Sequence, residues 1–277
     1  MGEDQRPPVR FDEPPLHEMA ISVHFSPMEG FQALHAGLLW QQLRGDYPLT
    51  REVPFAPQPI EQFGDAFLNS QVEQEIYFGA PPPDRRRYWF LSKDEVRIFQ
   101  VQKDFVAANW RRVNGDERYP GYRESMLPTF ERQWKLFCEF LEANGFARPA
   151  VRQVEVTYVS AVPRGDGWQE YGDLPQILAP WSGKFSGGHL PQPETAGVMA
   201  TFLIPDHKGR LRVAANPWIR PRDKRETIQF TTIARIVAPT TDPSSVVELV
   251  NVAHDWAAWG FADFTTPYMH ELWKRVT

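Results

Sequence analysis

Cysteine is almost missing: Cys138 is the single one in 277 residues. That excludes a disulfide framework and every multi-cysteine zinc or iron–sulfur site, and it predicts a reducing compartment. No apolar run approaches 18 residues, and the first twenty residues carry acids, arginines and four prolines where a signal peptide needs an apolar stretch. A cytosolic protein without a membrane span is expected. There is no G-x-S-x-G elbow, no glycine-rich phosphate loop in a strand–helix setting, no two-histidine metal motif among seven histidines and no calcium-loop spacing. No catalytic residue, metal ligand or cofactor is therefore assigned. Cationic excess is lacking as well, since 30 Lys+Arg against 35 Asp+Glu leave a net charge of −5. Non-specific nucleic-acid affinity depends on Lys/Arg neutralisation of phosphates, so a nucleic-acid-binding sheet saddle is disfavoured.

What the chain has in plenty is rings and proline: 19 Phe, 8 Tyr, 10 Trp and 26 Pro. Each aromatic ring can remove about 150–250 Å² from water, so a large core or an aromatic cleft follows. The prolines, as at 14–15, 54–59, 81–83 and 191–193, fall between periodic segments and read as stiffened connections and strand entries.

Residues 18–25 alternate Met19, Ile21, Val23 and Phe25 against Ala20, Ser22 and His24, a strand with His24 facing away from the apolar side. From Gly30, a stripe of Phe31, Leu34, Leu38, Leu39 and Leu43 predicts a helix ending near Gly45. Residues 88–92, 96–102 and 105–112, joined by tight polar turns, form an antiparallel meander. Phe130, Trp134, Phe137, Cys138 and Leu141 mark a long helix closed at Asn144-Gly145. The order then recurs. Residues 153–162 alternate as a strand, and an irregular stretch follows with one weak helical candidate at 174–178. A second meander spans 198–204, 211–218 and 227–236, with a turn at 206–209. A helix starting at Asp242-Pro243 buries Val246, Leu249, Val250, Ala253 and Trp256, and a short one runs from Thr266-Pro267 through Val276.

The expected class is α+β, with two topologically similar halves, each strand, connection, three-stranded antiparallel meander and long helix. The helices pack on one sheet face, and the other face is solvated or used for binding. The division falls at 1–148 and 149–277, the halves packing as one globular unit.

The most distinctive run is Asn109-Trp110-Arg111-Arg112, followed by Tyr119 and Arg123. Arginine forks beside rings suit carboxylate, phosphate or stacked-base recognition through bidentate hydrogen bonds and cation–π contact. The competing reading is a strand end whose arginines lie over aromatic packing and pair with nearby acids. Ser186-Gly187-Gly188-His189 reads as a loop, and Cys138, within an apolar stripe, as a small buried hydrophobe.

Several segments together resemble the sporadically distributed family of uncharacterised bacterial proteins of similar length. They are Pro14-Pro15 with residues 21–25, residues 88–92, residues 99–112 with 119–122, the helix over 130–145, the strand over 153–163 and residues 261–273. The most specific pieces are Asn109 to Arg112 with Tyr119-Pro120, and Glu155 to Tyr158. The resemblance implies no catalytic residues. Its patchy distribution implies an accessory or antitoxin-like component of a mobile defence or toxin–antitoxin locus, with a toxin or effector as partner.

The expectation is a non-catalytic cytosolic binding protein that engages another protein or an anionic small ligand through Asn109, Trp110, Arg111, Arg112, Tyr119 and Arg123. The alternative is an enzyme whose site is assembled from distant groups such as His24, Glu155 and His189.

Overall fold

The computed structural model describes residues 8–57, 59–63, 86–182, 189–205, 209–238 and 245–276. The prolines at 81–83, residues 186–188, the turn at 206–208 and the Asp242-Pro243 helix start lie outside the described residues. In chain order the elements begin with β1 (Leu16–Phe25), α1 (Ala33–Leu43), β2 (Leu49–Pro54), β3 (Arg86–Leu91), β4 (Arg97–Gln102) and β5 (Phe105–Arg111). A π-helical turn (Tyr122–Met126) leads into α2 (Leu127–Ala143), followed by β6 (Val151–Pro163), a 3-10 turn (Tyr171–Asp173) and α3 (Leu174–Ile177). The chain ends with β7 (Val198–Ile204), β8 (Gly209–Ile219), β9 (Glu226–Val237), α4 (Val246–Phe264) and α5 (Pro267–Leu272).

Among the described residues all nine strands join one antiparallel sheet in the order β2-β3-β4-β5-β1-β6-β9-β8-β7, so the fold is α+β. β1 and β6, the two strands with the clearest alternation, lie side by side at its centre, with Ile21 opposite Val156 and Ser22 opposite Glu155. The last strand of each meander pairs with one of them, β5 with β1 and β9 with β6.

The alternation decides the layers, because successive side chains on a strand point to opposite faces. Met19, Ile21 and Val23 of β1, Val154 and Val156 of β6, and Phe230, Ala234 and Ile236 of β9 are buried in one apolar cluster with Phe130, Phe137 and Leu141 of α2 and Val250 and Ala253 of α4. Phe25 stands 5.8 Å from Phe137, ring centre to ring centre. α2 ends on Gly145 at φ +78°, the left-handed cap that its position predicts. α4 comes so near β8 that a Cβ on Gly260 would lie 2.4 Å from Cδ2 of Leu211, so any larger residue there requires the Leu211 side chain to move.

Four expectations change. β2 goes unpredicted because its residues, Leu49–Pro54, sit in a proline-punctuated stretch without alternation and form an exposed edge. The buried side of α1 is Ala36, Leu39 and Leu43, while Leu34 and Leu38 are 71% and 39% exposed. α5 stops at Leu272, since the chain turns there to bridge Phe11 to Arg275. Finally, the opposite face, helix-free among the described residues, is not simply solvated: Ser22, His24, Gln100, Gln102, Asn109 and Gln153 are buried on it.

Candidate functional site

The helix-free face is roofed in part by residues 55–57 and 59–63. Two glutamine side chains of the sheet hold this segment by its backbone. Gln102 accepts from Ala56 N at 3.0 Å and donates to Ala56 O at 3.0 Å. Gln153 accepts from Glu61 N at 2.8 Å and donates to Pro59 O at 3.1 Å. Glu61 enters a cluster of three arginines, bonding Arg210 at 2.6 Å, Arg212, and Arg235 at 3.6 Å. Arg235 in turn binds Glu155, which also accepts from the Thr157 hydroxyl at 3.0 Å. Burial raises the carboxyl pKa values of Glu61 and Glu155, but the arginines outweigh it and hold both below the usual carboxylate range.

His24, on the same face of β1, is 1% exposed, and among the described residues neither ring nitrogen has a hydrogen-bond partner. Burial pushes its pKa down to about 4, against a smaller opposing pull from Glu155. His24 and Glu155, two members of the enzymatic alternative, thus do share a face. Glu155 is committed to Arg235, however, and His189 is exposed in the approach to β7.

Across β5, β4 and β3 the face is more open. A chain of polar bonds runs over the sheet: Trp89 Nε1 and an Arg87 guanidinium N–H donate to Gln100 Oε1 at 3.0 and 3.2 Å. Gln100 donates to Asn109 at 2.8 Å, and Asn109 donates to Glu18 at 2.8 Å. Glu18 ends the chain. Burial raises its carboxyl pKa, and the Asn109 bond, Arg111 and Arg87 oppose that rise only in part. Two guanidiniums lie over the Trp89 ring, Arg87 at 5.5 Å and Arg111 at 5.8 Å from its centre. Arg111 also bonds the carbonyl and carboxylate of Glu95, and Arg51 bonds Glu95 at 2.5 Å. Arg87, Trp89, Arg111 and Glu18 are all half-buried.

Strand geometry splits the sequence-selected residues. Asn109 and Arg111 belong to this patch. Trp110 points into the core on the other face, 2% exposed, with its ring edge-to-face on Tyr119 at 5.4 Å. Arg112, just past β5, donates to Pro14 O at 3.3 Å. Tyr119 packs on Tyr158, whose hydroxyl bonds His254 Nδ1 at 2.8 Å. Tyr122 stacks on His254 at 3.5 Å and donates to Asn251 at 3.0 Å. Burial and the Arg123 charge lower the His254 pKa to about 3. Arg123 itself is exposed on this helix-covered side. The Tyr–His group ties α4 to β6 and to the π-turn, and period-two counting from Trp110 would have placed that ring on the core side.

Glu18, Arg87, Trp89 and Gln100 were not selected from the sequence. The available signal was again alternation, which puts Glu18 on the polar side of β1; its pairing with Asn109 depends on register. Among the described residues no three His, Cys, Asp or Glu side chains gather as metal ligands, and no helix is long and apolar enough to cross a membrane.

No family model matches the chain, and no curated protein does. Among solved structures, DynU16, a protein in the dynemicin biosynthetic locus, aligns over 89% of this chain and 98% of its own, at 10% identity and a TM-score of 0.24, a likeness too slight to bear on fold or function.

Proposed function

We propose that the protein is a non-catalytic binding protein that captures an anionic group through the patch of Glu18, Arg87, Trp89, Asn109 and Arg111. The supporting observation is the half-buried Trp89 ring with the Arg87 and Arg111 guanidiniums over it. Guanidinium forks pair with carboxylate or phosphate, and the indole gives a planar group a face to lie on. The hydrogen-bonded chain from Trp89 to Glu18 fixes these side chains before a ligand arrives, which lowers the entropy cost of binding. Glu18, with its raised pKa, presents less repulsion to an anion than an ordinary carboxylate would. The anionic group belongs either to a small ligand or to an acidic segment of a partner protein, of the kind a defence or toxin–antitoxin locus would supply.

Titration calorimetry with inorganic phosphate, citrate, a nucleoside triphosphate and a polyglutamate peptide separates these sources. Binding to wild type that Arg87→Ala and Trp89→Ala each abolish is the expected result. A response to the peptide alone points to a partner protein, and a response to the small anions to a ligand. Binding of none of the four, or binding that survives both variants, overturns the reading.

A further inference from the structure

The two edges of the sheet differ in chemistry. An edge strand offers a row of unpaired N–H and C=O groups, and proteins that stay apart guard it with charge, proline or short length. The β2 edge follows this pattern: it reads Leu-Thr-Arg-Glu-Val-Pro, its Arg51 and Glu52 are engaged in ion pairs with Glu95 and Arg86, and Pro54 closes it. The β7 edge does not. Its seven residues, Val-Met-Ala-Thr-Phe-Leu-Ile, contain neither charge nor proline. Met199 is 74%, Leu203 66% and Phe202 44% exposed. Among the described residues β7 pairs only with β8.

We infer that β7 pairs with β7 of a second copy of this chain, in antiparallel register about Thr201. A two-fold axis through Thr201 sets Met199 opposite Leu203 of the second copy on one face. It sets Ala200 opposite Phe202 and Val198 opposite Ile204 on the other. Every facing pair is then apolar or Thr with Thr, with no charge left to repel or to desolvate. A two-fold contact of this kind is self-complementary and closes, so it gives a dimer rather than a fibre. The two sheets become one, and the edge most in need of cover is covered in both copies.

Sedimentation velocity over a concentration series should give a dimer for wild type and a monomer for Met199→Lys/Leu203→Lys. Those side chains are largely exposed, so the variant should keep the wild-type circular dichroism, and its melting temperature should lose the concentration dependence that dimerisation gives the wild type. The register is read by a second variant. In an antiparallel ladder, facing Cα atoms lie about 4.5–5.5 Å apart, within the range a disulfide spans. In a Cys138→Ala background, Thr201→Cys should therefore form a covalent dimer on mild oxidation, and Thr50→Cys on β2 should not. A wild type that stays monomeric at its highest soluble concentration overturns the inference. So does a lysine variant that remains a dimer, a mass that grows past the dimer, or cross-linking at Thr50 as strong as at Thr201.

Discussion

Strand β1 sends Met19, Ile21 and Val23 to one face of the sheet and Glu18, Ser22 and His24 to the other, and the two sides settle burial by different means. On the helix side, all three residues are fully buried among aliphatic and aromatic neighbours, where stabilisation scales with apolar area removed from water. On the helix-free side, buried polar groups are tolerated because most are matched one to another: Gln100 to Asn109, Asn109 to Glu18, Glu155 to Arg235, Glu61 to three arginines. On the apolar side a lost side chain costs in proportion to the area it buried and the cavity it leaves. The polar side depends on partners that arrive from far along the chain, and removing one member of a buried ion pair leaves the opposite charge uncompensated.

Removing a partner from each side should sharpen that contrast. On the apolar side, Phe137→Ala should cost about 3–5 kcal/mol as the core loses the ring and a cavity is left. On the polar side, Glu61→Ala removes fewer atoms yet should cost a similar amount, about 3–5 kcal/mol, because it leaves buried arginine charge uncompensated. Denaturant unfolding of the two variants checks this. If Glu61→Ala behaves like an ordinary surface substitution, the roof segment is not held as described.

Acid should act next. The folded-state pKa of His24, about 4, lies below its ordinary value of 6.5, so the unfolded chain binds more protons between those pH values. Its contribution is present above pH 6.5 and lost as pH falls towards 4, amounting to about 3 kcal/mol for a shift of this size. His254, lowered to about 3, acts in the same direction on the helix side, and so do Glu61 and Glu155. Glu18 acts oppositely, since its raised carboxyl pKa favours the fold below 4.5 and loses that contribution as pH rises. Unfolding at pH 7 and pH 4.5 should show wild type losing several kcal/mol on acidification. His24→Gln should lose measurably less, and an unchanged acid loss in that variant would place the sensitivity elsewhere.

Much of the architecture was legible in the chain. Period-two alternation located β1, β6 and both meanders, and three- and four-residue spacing located α2 and α4, because these elements bury a clean face. β2 was not legible, since its residues are exposed on both faces and lack the apolar run that marks the other edge strand, β7. That β1 and β6 meet, joining the strands into one sheet, depends on a pairing about 130 residues apart in sequence that no local pattern encodes. The site was half legible. Residues 109–112 stood out by composition, but alternation divides Asn109 and Arg111 from Trp110, and only register brings Glu18 and Trp89 beside the first two. Glu61 had no signal of its own; its arginines lie about 150 to 175 residues further along, on β8 and β9.

The smallest expected effect on stability bears most directly on the central claim, that the polar face recognises an anion as well as holding the fold together. Arg87→Ala removes a half-buried side chain that bonds Gln100 and lies over Trp89. Melting curves for wild type and this variant, each with and without the anion that stabilises wild type most, separate the two roles. The account predicts ligand-free melting temperatures close to one another and a ligand-induced rise present only in wild type. A variant that melts far below wild type without ligand, yet keeps the full rise, would contradict it.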